Sequence, residues 1–349
     1  MIRRIAKGEG NMIKNEQLYR RTVSSVGFAM LFFLLLLEIY GAFVTLLLPF
    51  LLSLIFTDGS VAYSVAYELI YAAGYLASFM IPVLLLKRLM KHHAAGYRPI
   101  MSSVRISPYL PLLLVCALAV IFSMATVNSY FMDAVGYFDS PFMQDAYATD
   151  EPTLHGLILE FIVICLVPGL CEEFLFRGAV MTNLLPYGKT NAILISALLF
   201  SLMHRNGAQL LYAFAAGILF GLIYEKTGSI WNCVFLHTVN NFVSCTEGTI
   251  LYRIREEILA NTVLSIFEVV IFLLGAVGAA VLFMFFFQKK DAHVANGFFG
   301  RSLPIGDGYA EYPIAQGRAV RLFMAPTMVI YLCLCTVQAL LLILLAAVM

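Results

Sequence analysis

The chain has 349 residues, of which 61% are hydrophobic and 12% charged, with a mean hydropathy of +0.88. A soluble domain carries about 25% charged residues. This composition therefore excludes a water-soluble globule, a disordered chain and a coiled coil, and leaves a polytopic membrane protein. A net charge of +1 gives no reason to expect a nucleic-acid partner. The seven cysteines lie almost all in apolar runs, form no CxxC pair, and read as small buried hydrophobes.

At about 20 apolar residues per span, there is room for on the order of eight to ten helices. Apolar runs predict an all-α transmembrane bundle of eight to nine spans, at 24–56, 61–86, 108–131, 154–184, 191–205, 208–225, 229–246, 263–287 and 324–348. The first run is long for one span and is expected to tilt or bend near Pro49. It lacks a signal-peptide cleavage site and reads as an uncleaved anchor. Three regions follow: N-terminal helices over 1–150, a polar-rich core over 154–246, and C-terminal helices over 247–349 with a loop at 288–323.

Loop charges alternate. Arg3, Arg4, Lys7, Lys14, Arg20 and Arg21 precede the first span, and Lys87, Arg88, Lys91, Arg98 and Arg105 follow the second. Asp133, Asp139, Asp145, Asp150 and Glu151 follow the third. The positive-inside rule then places the N-terminus in the cytoplasm and, with nine spans, the C-terminus outside.

Ionisable side chains within apolar helices are costly, so they are functional candidates. Glu38, Glu68, Glu160 and Glu268 occur singly and suit hydrogen bonds between helices. The stretch 165–245 instead concentrates Glu172, Glu173, Arg177, His204, His237, Asn240 and Asn241. Glu173 and Arg177 are one turn apart and can pair, which rotates Glu172 about 100° away. Phe200 with His204, and His237 with Asn241, share the same four-residue spacing. At about 1.5 Å per residue, Glu172, His204 and Asn241 each fall roughly 18–20 Å from an expected helix end, and His237 roughly 12 Å.

A carboxylate in apolar surroundings with a histidine beside it can activate water, and a second histidine and an asparagine can donate to an oxyanion. Glu172, His204 and His237 could alternatively ligate zinc. HExxH and GxSxG are both absent. A polar network that only locks helices together would use the same residue types.

These residues also carry a resemblance. EEFLFR fits EExxxR, FSLMH fits FxxxH and HTVNN fits HxxxN, in that order on successive helices. The set resembles the CPBP family, the CAAX-protease and bacteriocin-processing (ABI) membrane proteases, over about 154–245. The resemblance implies an intramembrane endopeptidase acting on a membrane-associated protein or peptide; it leaves metal dependence open, and the expectation here is no cofactor, with zinc the alternative. It implies that Glu172 and His204 activate the water, and that His237 and Asn241 stabilise the oxyanion. Glu173 and Arg177 complete the first motif, and Phe200 packs beside the site. Bacteriocin-maturation and immunity factors among prokaryotic relatives imply a prokaryotic plasma membrane. A catalytically silent immunity or assembly factor binding a peptide in the same cavity is the rival reading. A proton-coupled transporter is disfavoured because no internal repeat is visible.

Gly217 and Gly221 form GxxxG and are expected to bring helices close. Gly228 is expected to stop a helix, and Pro168-Gly169 to kink one ahead of Glu172. His92 and His93, in a basic loop, read as lipid-facing rather than metal-binding.

Overall fold

The computed structural model describes residues 2–93, 96–102, 110–134, 158–159, 161–253, 257–287, 312, 314 and 323–348. Glu160, Arg105, the acidic residues 139–151 and nearly all of the 288–323 loop lie outside the described residues. Every apolar run corresponds to a helix. The first helix, α1, runs Ile2–Ala42, passes through a π-helical stretch Phe43–Leu47 and ends as Leu48–Ser53. Then come α2 (Val61–Met90) and α3 (Leu110–Ala134). The next, α4, comprises a π stretch Phe161–Leu166, an α stretch Val167–Glu173, a second π stretch Phe174–Met181 and a last turn Thr182–Leu184. The remaining helices are α5 (Lys189–Met203), α6 (Gly207–Thr227), α7 (Ile230–Arg253), α8 (Glu257–Phe287) and α9 (Pro326–Val348).

The protein is a helical membrane bundle. Among the described residues, six helices are long and apolar enough to cross a membrane: α1, α2, α3, α6, α8 and α9. The other three carry the polar motifs, and this explains the difference from the expected eight to nine spans. Helix α4 carries three charged residues, Glu172, Glu173 and Arg177, within its apolar run. Helix α5 has 15 residues, about 22 Å against a hydrocarbon core of about 30 Å. Helix α7 is diluted by Asn232, His237, Asn240 and Asn241.

Both interrupted helices change pitch just ahead of a proline. Pro49 and Pro168 each sit in the first turn of the α stretch that follows a π stretch. Proline has no N–H to give to the preceding turn and its ring crowds that turn's carbonyl. A wider π turn accommodates both.

The helices pack as two compact units. One comprises Met1–Ile100, Thr153–Ala192 and Tyr309–Cys333; the other comprises Met101–Pro152, Ile193–Gly308 and Leu334–Met349. In the first, Phe33 of α1 meets Phe79 of α2 edge-on at 4.7 Å and Phe176 of α4 at 6.4 Å. Gly27 lets α1 approach α9 closely: an added Cβ would stand 2.6 Å from the Met328 nitrogen. Residues 98–100 are tied to α4, with the Arg98 N–H donating to Asn183 Oδ1 at 2.8 Å. In the second unit, α3 and α8 meet through small residues. There the Ser123 hydroxyl donates to the Ile271 carbonyl at 3.0 Å, and a Cβ on Gly278 would stand 2.8 Å from the Cys116 carbonyl oxygen. Buried Asn128 of α3 caps the start of α6, giving Nδ2–H to the Ala208 carbonyl at 2.7 Å and accepting from the Leu211 N–H at 3.1 Å.

Candidate active site

In the first unit the site residues lie on α4. Glu173 and Arg177 form the expected pair, with Nη1 2.8 Å from Oε1 and both side chains fully buried. Burying two charges is tolerated because each supplies the other's counter-charge and hydrogen bond. The pair fixes the rotation of α4, and Glu172, one residue earlier, faces elsewhere. Its Oε1 accepts a 2.6 Å hydrogen bond from the Tyr75 hydroxyl of α2. Sequence reasoning did not single out Tyr75. It belongs to a row at helical spacing, Tyr67, Tyr71, Tyr75 and Phe79, whose neighbouring rings lie 6.4, 6.3 and 4.7 Å apart. That periodicity was readable, but the partner stands 97 residues away. Gly74 completes the arrangement: a Cβ there would overlap the Tyr40 ring, which instead lies 5.6 Å from Tyr71.

In the second unit, α5, α6 and α7 gather both histidines around one phenyl ring. Phe200 meets His204 edge-on at 5.2 Å and His237 edge-on at 5.7 Å, and Phe220 stacks on His237 at 5.4 Å. The GxxxG expectation holds at Gly217, where an added Cβ would stand 2.8 Å from the Ala197 Cα. Backbone contact of this kind between α5 and α6 sets Phe200 and Phe220 6.4 Å apart.

His204 lies just past the end of α5, in the turn that leads to α6. Its Nδ1 is 2.9 Å from the Phe200 carbonyl oxygen. A carbonyl only accepts, so Nδ1 carries the proton and Nε2 is the nitrogen able to accept one. The next residue, Arg205, has φ = 54°, a left-handed conformation uncommon outside glycine. Strain of this kind concentrates at functional sites. Asn206 then caps α6 by accepting from the Gln209 N–H at 2.9 Å. On α7, Asn240 gives Nδ2–H to Asn241 Oδ1 at 3.2 Å. This fixes which end of the Asn241 amide is the donor, a role the sequence reading had not given to Asn240. Gly228 stops α6 as expected, with φ = 60° and its N–H donating to the Tyr224 carbonyl at 2.9 Å.

The Phe200 ring packs against both imidazoles, and a His204 Nδ1–H held on a carbonyl leaves Nε2 to accept a proton or to meet a metal ion. Among the described residues no three His, Cys, Asp or Glu side chains form a group that could hold a metal ion.

Residues 154–243 match the family model of the type II CAAX prenyl endopeptidase Rce1-like proteins. They cover EExxxR, FxxxH and HxxxN in order, so over this core the chain is similar to the CAAX-protease (CPBP) family. The chain is also similar to the Bacillus subtilis (strain 168) protein named "Putative membrane peptidase YdiL". The two are 36% identical over 91 residues, which is 25% of this chain and 36% of the relative. No solved structure matches.

Proposed function

We propose that the protein is an intramembrane endopeptidase that hydrolyses a peptide bond of a protein or peptide held in or at the membrane. The observation that carries this reading is the chemistry of the motif residues. Glu172 receives a hydrogen bond from Tyr75, and His204 keeps Nε2 as its proton-accepting nitrogen. His237 and Asn241 have their orientations fixed by aromatic and amide neighbours.

In the proposed reaction Glu172 takes a proton from the attacking water, and His204 Nε2 accepts that water's second hydrogen bond. Hydroxide adds to the scissile carbonyl, and the resulting oxyanion accepts hydrogen bonds from His237 and the Asn241 amide. Glu172 then returns its proton to the leaving amine, the C–N bond breaks, and a carboxylic acid and an amine depart, the acid losing its remaining proton to solvent. Glu173 and Arg177 hold the helix that presents Glu172. No step uses a metal. Residues 154–246 form the catalytic core in this reading, within a prokaryotic plasma membrane and with the N-terminus cytoplasmic.

The test compares membrane-protein fragments from cells expressing wild type and Glu172→Gln. The substitution preserves size and removes the base. Fragments present only with wild type support the peptidase. Identical fragment sets from the two would favour the rival, a silent peptide-binding immunity or assembly factor.

A further inference from the structure

At the basic end of α2 a groove of about 770 Å³ opens between α1 and α2, with Tyr97 on its rim. It lies within the first unit and shares no residue with the motifs. Lys87, Arg88 and Lys91 line it together with the apolar Phe32, Ile81 and Leu84. We infer that this groove binds one anionic phospholipid, whose phosphate contacts the three cations and whose acyl chain lies along the apolar wall.

The charge pattern calls for an anion. Lys87 and Lys91 are one turn apart on a single face, where like charges repel, and Arg88 adds a third. None of the three pairs with an acidic side chain among the described residues. The segment from Lys87 to Arg105 contains no acid. The negative end of the α2 dipole favours cations at this position, and the apolar wall beside them lies within the helix that crosses the membrane, where acyl chains are the natural neighbours. Ile81 and Leu84 are 42% and 64% exposed.

Competing ligands satisfy only half of the groove. Free phosphate would meet the cations and leave the walls bare. A zwitterionic lipid would cover the walls, but its own cation would face three positive charges. An anionic phospholipid matches both parts: a guanidinium and two ammonium groups suit a phosphodiester, and basic pockets between membrane helices suit anionic head groups. His92 and His93, which follow directly, extend the same lipid-facing end.

The test uses the full-length protein in mild detergent, melted with added phosphatidylglycerol, with equal phosphatidylcholine, or with millimolar inorganic phosphate. Phosphatidylglycerol should raise the midpoint by several degrees more than phosphatidylcholine, and phosphate should leave it unchanged. The Lys87→Gln/Lys91→Gln variant should lose most of that gain. A charge-matched control, Lys14→Gln/Arg20→Gln, should keep it. Equal shifts with both lipids, the same shift with phosphate alone, or an equal loss in the control would overturn the inference. Should the groove variant not fold, photoreactive phosphatidylglycerol on the unaltered protein decides. Labelling within 81–97 supports the site, and labelling elsewhere overturns it.

Discussion

The Tyr75 hydroxyl donates to Glu172 Oε1 at 2.6 Å, joining α2 to the middle of α4. A short bond to a carboxylate is directional and stronger than a neutral one, so it sets where the carboxylate points. Tyr75→Phe deletes the donor and little else. Misplacing a reacting group by about an ångström can lower a rate by about a hundredfold. The fragments that distinguish wild type from Glu172→Gln should therefore fall about ten- to a hundredfold with Tyr75→Phe, while the melt in detergent stays close to wild type. Wild-type fragment levels in this variant would remove Tyr75 from the mechanism.

The first motif divides into a reactive and a structural part. Arg177→Ala would leave the Glu173 carboxylate buried without its guanidinium, and breaking a buried pair costs about 3–5 kcal/mol. That variant should melt well below wild type. Glu172→Gln keeps its size and can still accept from Tyr75, so it should melt normally and cleave nothing. A normal melt for Arg177→Ala together with a collapsed one for Glu172→Gln would exchange the two roles.

Gly217 tests whether the contact of α5 with α6 supports the histidine set. An added Cβ would stand 2.8 Å from the Ala197 Cα, a backbone atom that cannot rotate away. Overpacking of this kind costs about 1–3 kcal/mol. It would also move Phe220 away from His237. Gly217→Ala should lower both the melting temperature and fragment production. Gly41, which has nothing within 4 Å of an added Cβ, is the control: Gly41→Ala should change neither. Equal behaviour of the two variants would show that the close approach is not needed.

Hydropathy marked every helix because burial in lipid and helix formation select the same residues. It missed the start of α1, which is helical from Ile2 although the apolar run begins near 24. That polar part is a helix outside the apolar band, where composition carries no signal. The Glu173–Arg177 pair was legible because it is local, a matter of four-residue spacing. Tyr75 was not, since its pairing with Glu172 depends on how α2 crosses α4. The π stretches were half legible: Pro49 and Pro168 announced a disturbance but not its form. The turn holding His204 ends α5 at Met203 through the left-handed Arg205, a conformation that arginine gives no reason to expect.

Orientation has its own test. Asp58, in the exposed turn between α1 and α2, should lie outside the cell, and exposed His92, after α2, inside. In a background lacking the seven native cysteines, Asp58→Cys should react with an impermeant thiol reagent added to intact cells. His92→Cys should react only after lysis. The reverse pattern would invert the bundle and with it the cytoplasmic N-terminus.

The final expectation concerns metal. A catalytic zinc usually takes three protein ligands and a water. The sequence offers Glu172, His204 and His237 for that shell. One feature of the histidine set opposes it. Asn241, its Oδ1 engaged by Asn240, presents an N–H donor, which suits an oxyanion and repels a cation. Ligation of zinc by Glu172 would also occupy the only base that the proposed reaction uses. Purified protein should therefore keep its activity after exhaustive chelation, with metal content below one equivalent in a parallel assay. Stoichiometric zinc whose removal abolishes cleavage and whose return restores it would replace the glutamate-based water activation with a metal-based one. The peptidase reading would stand.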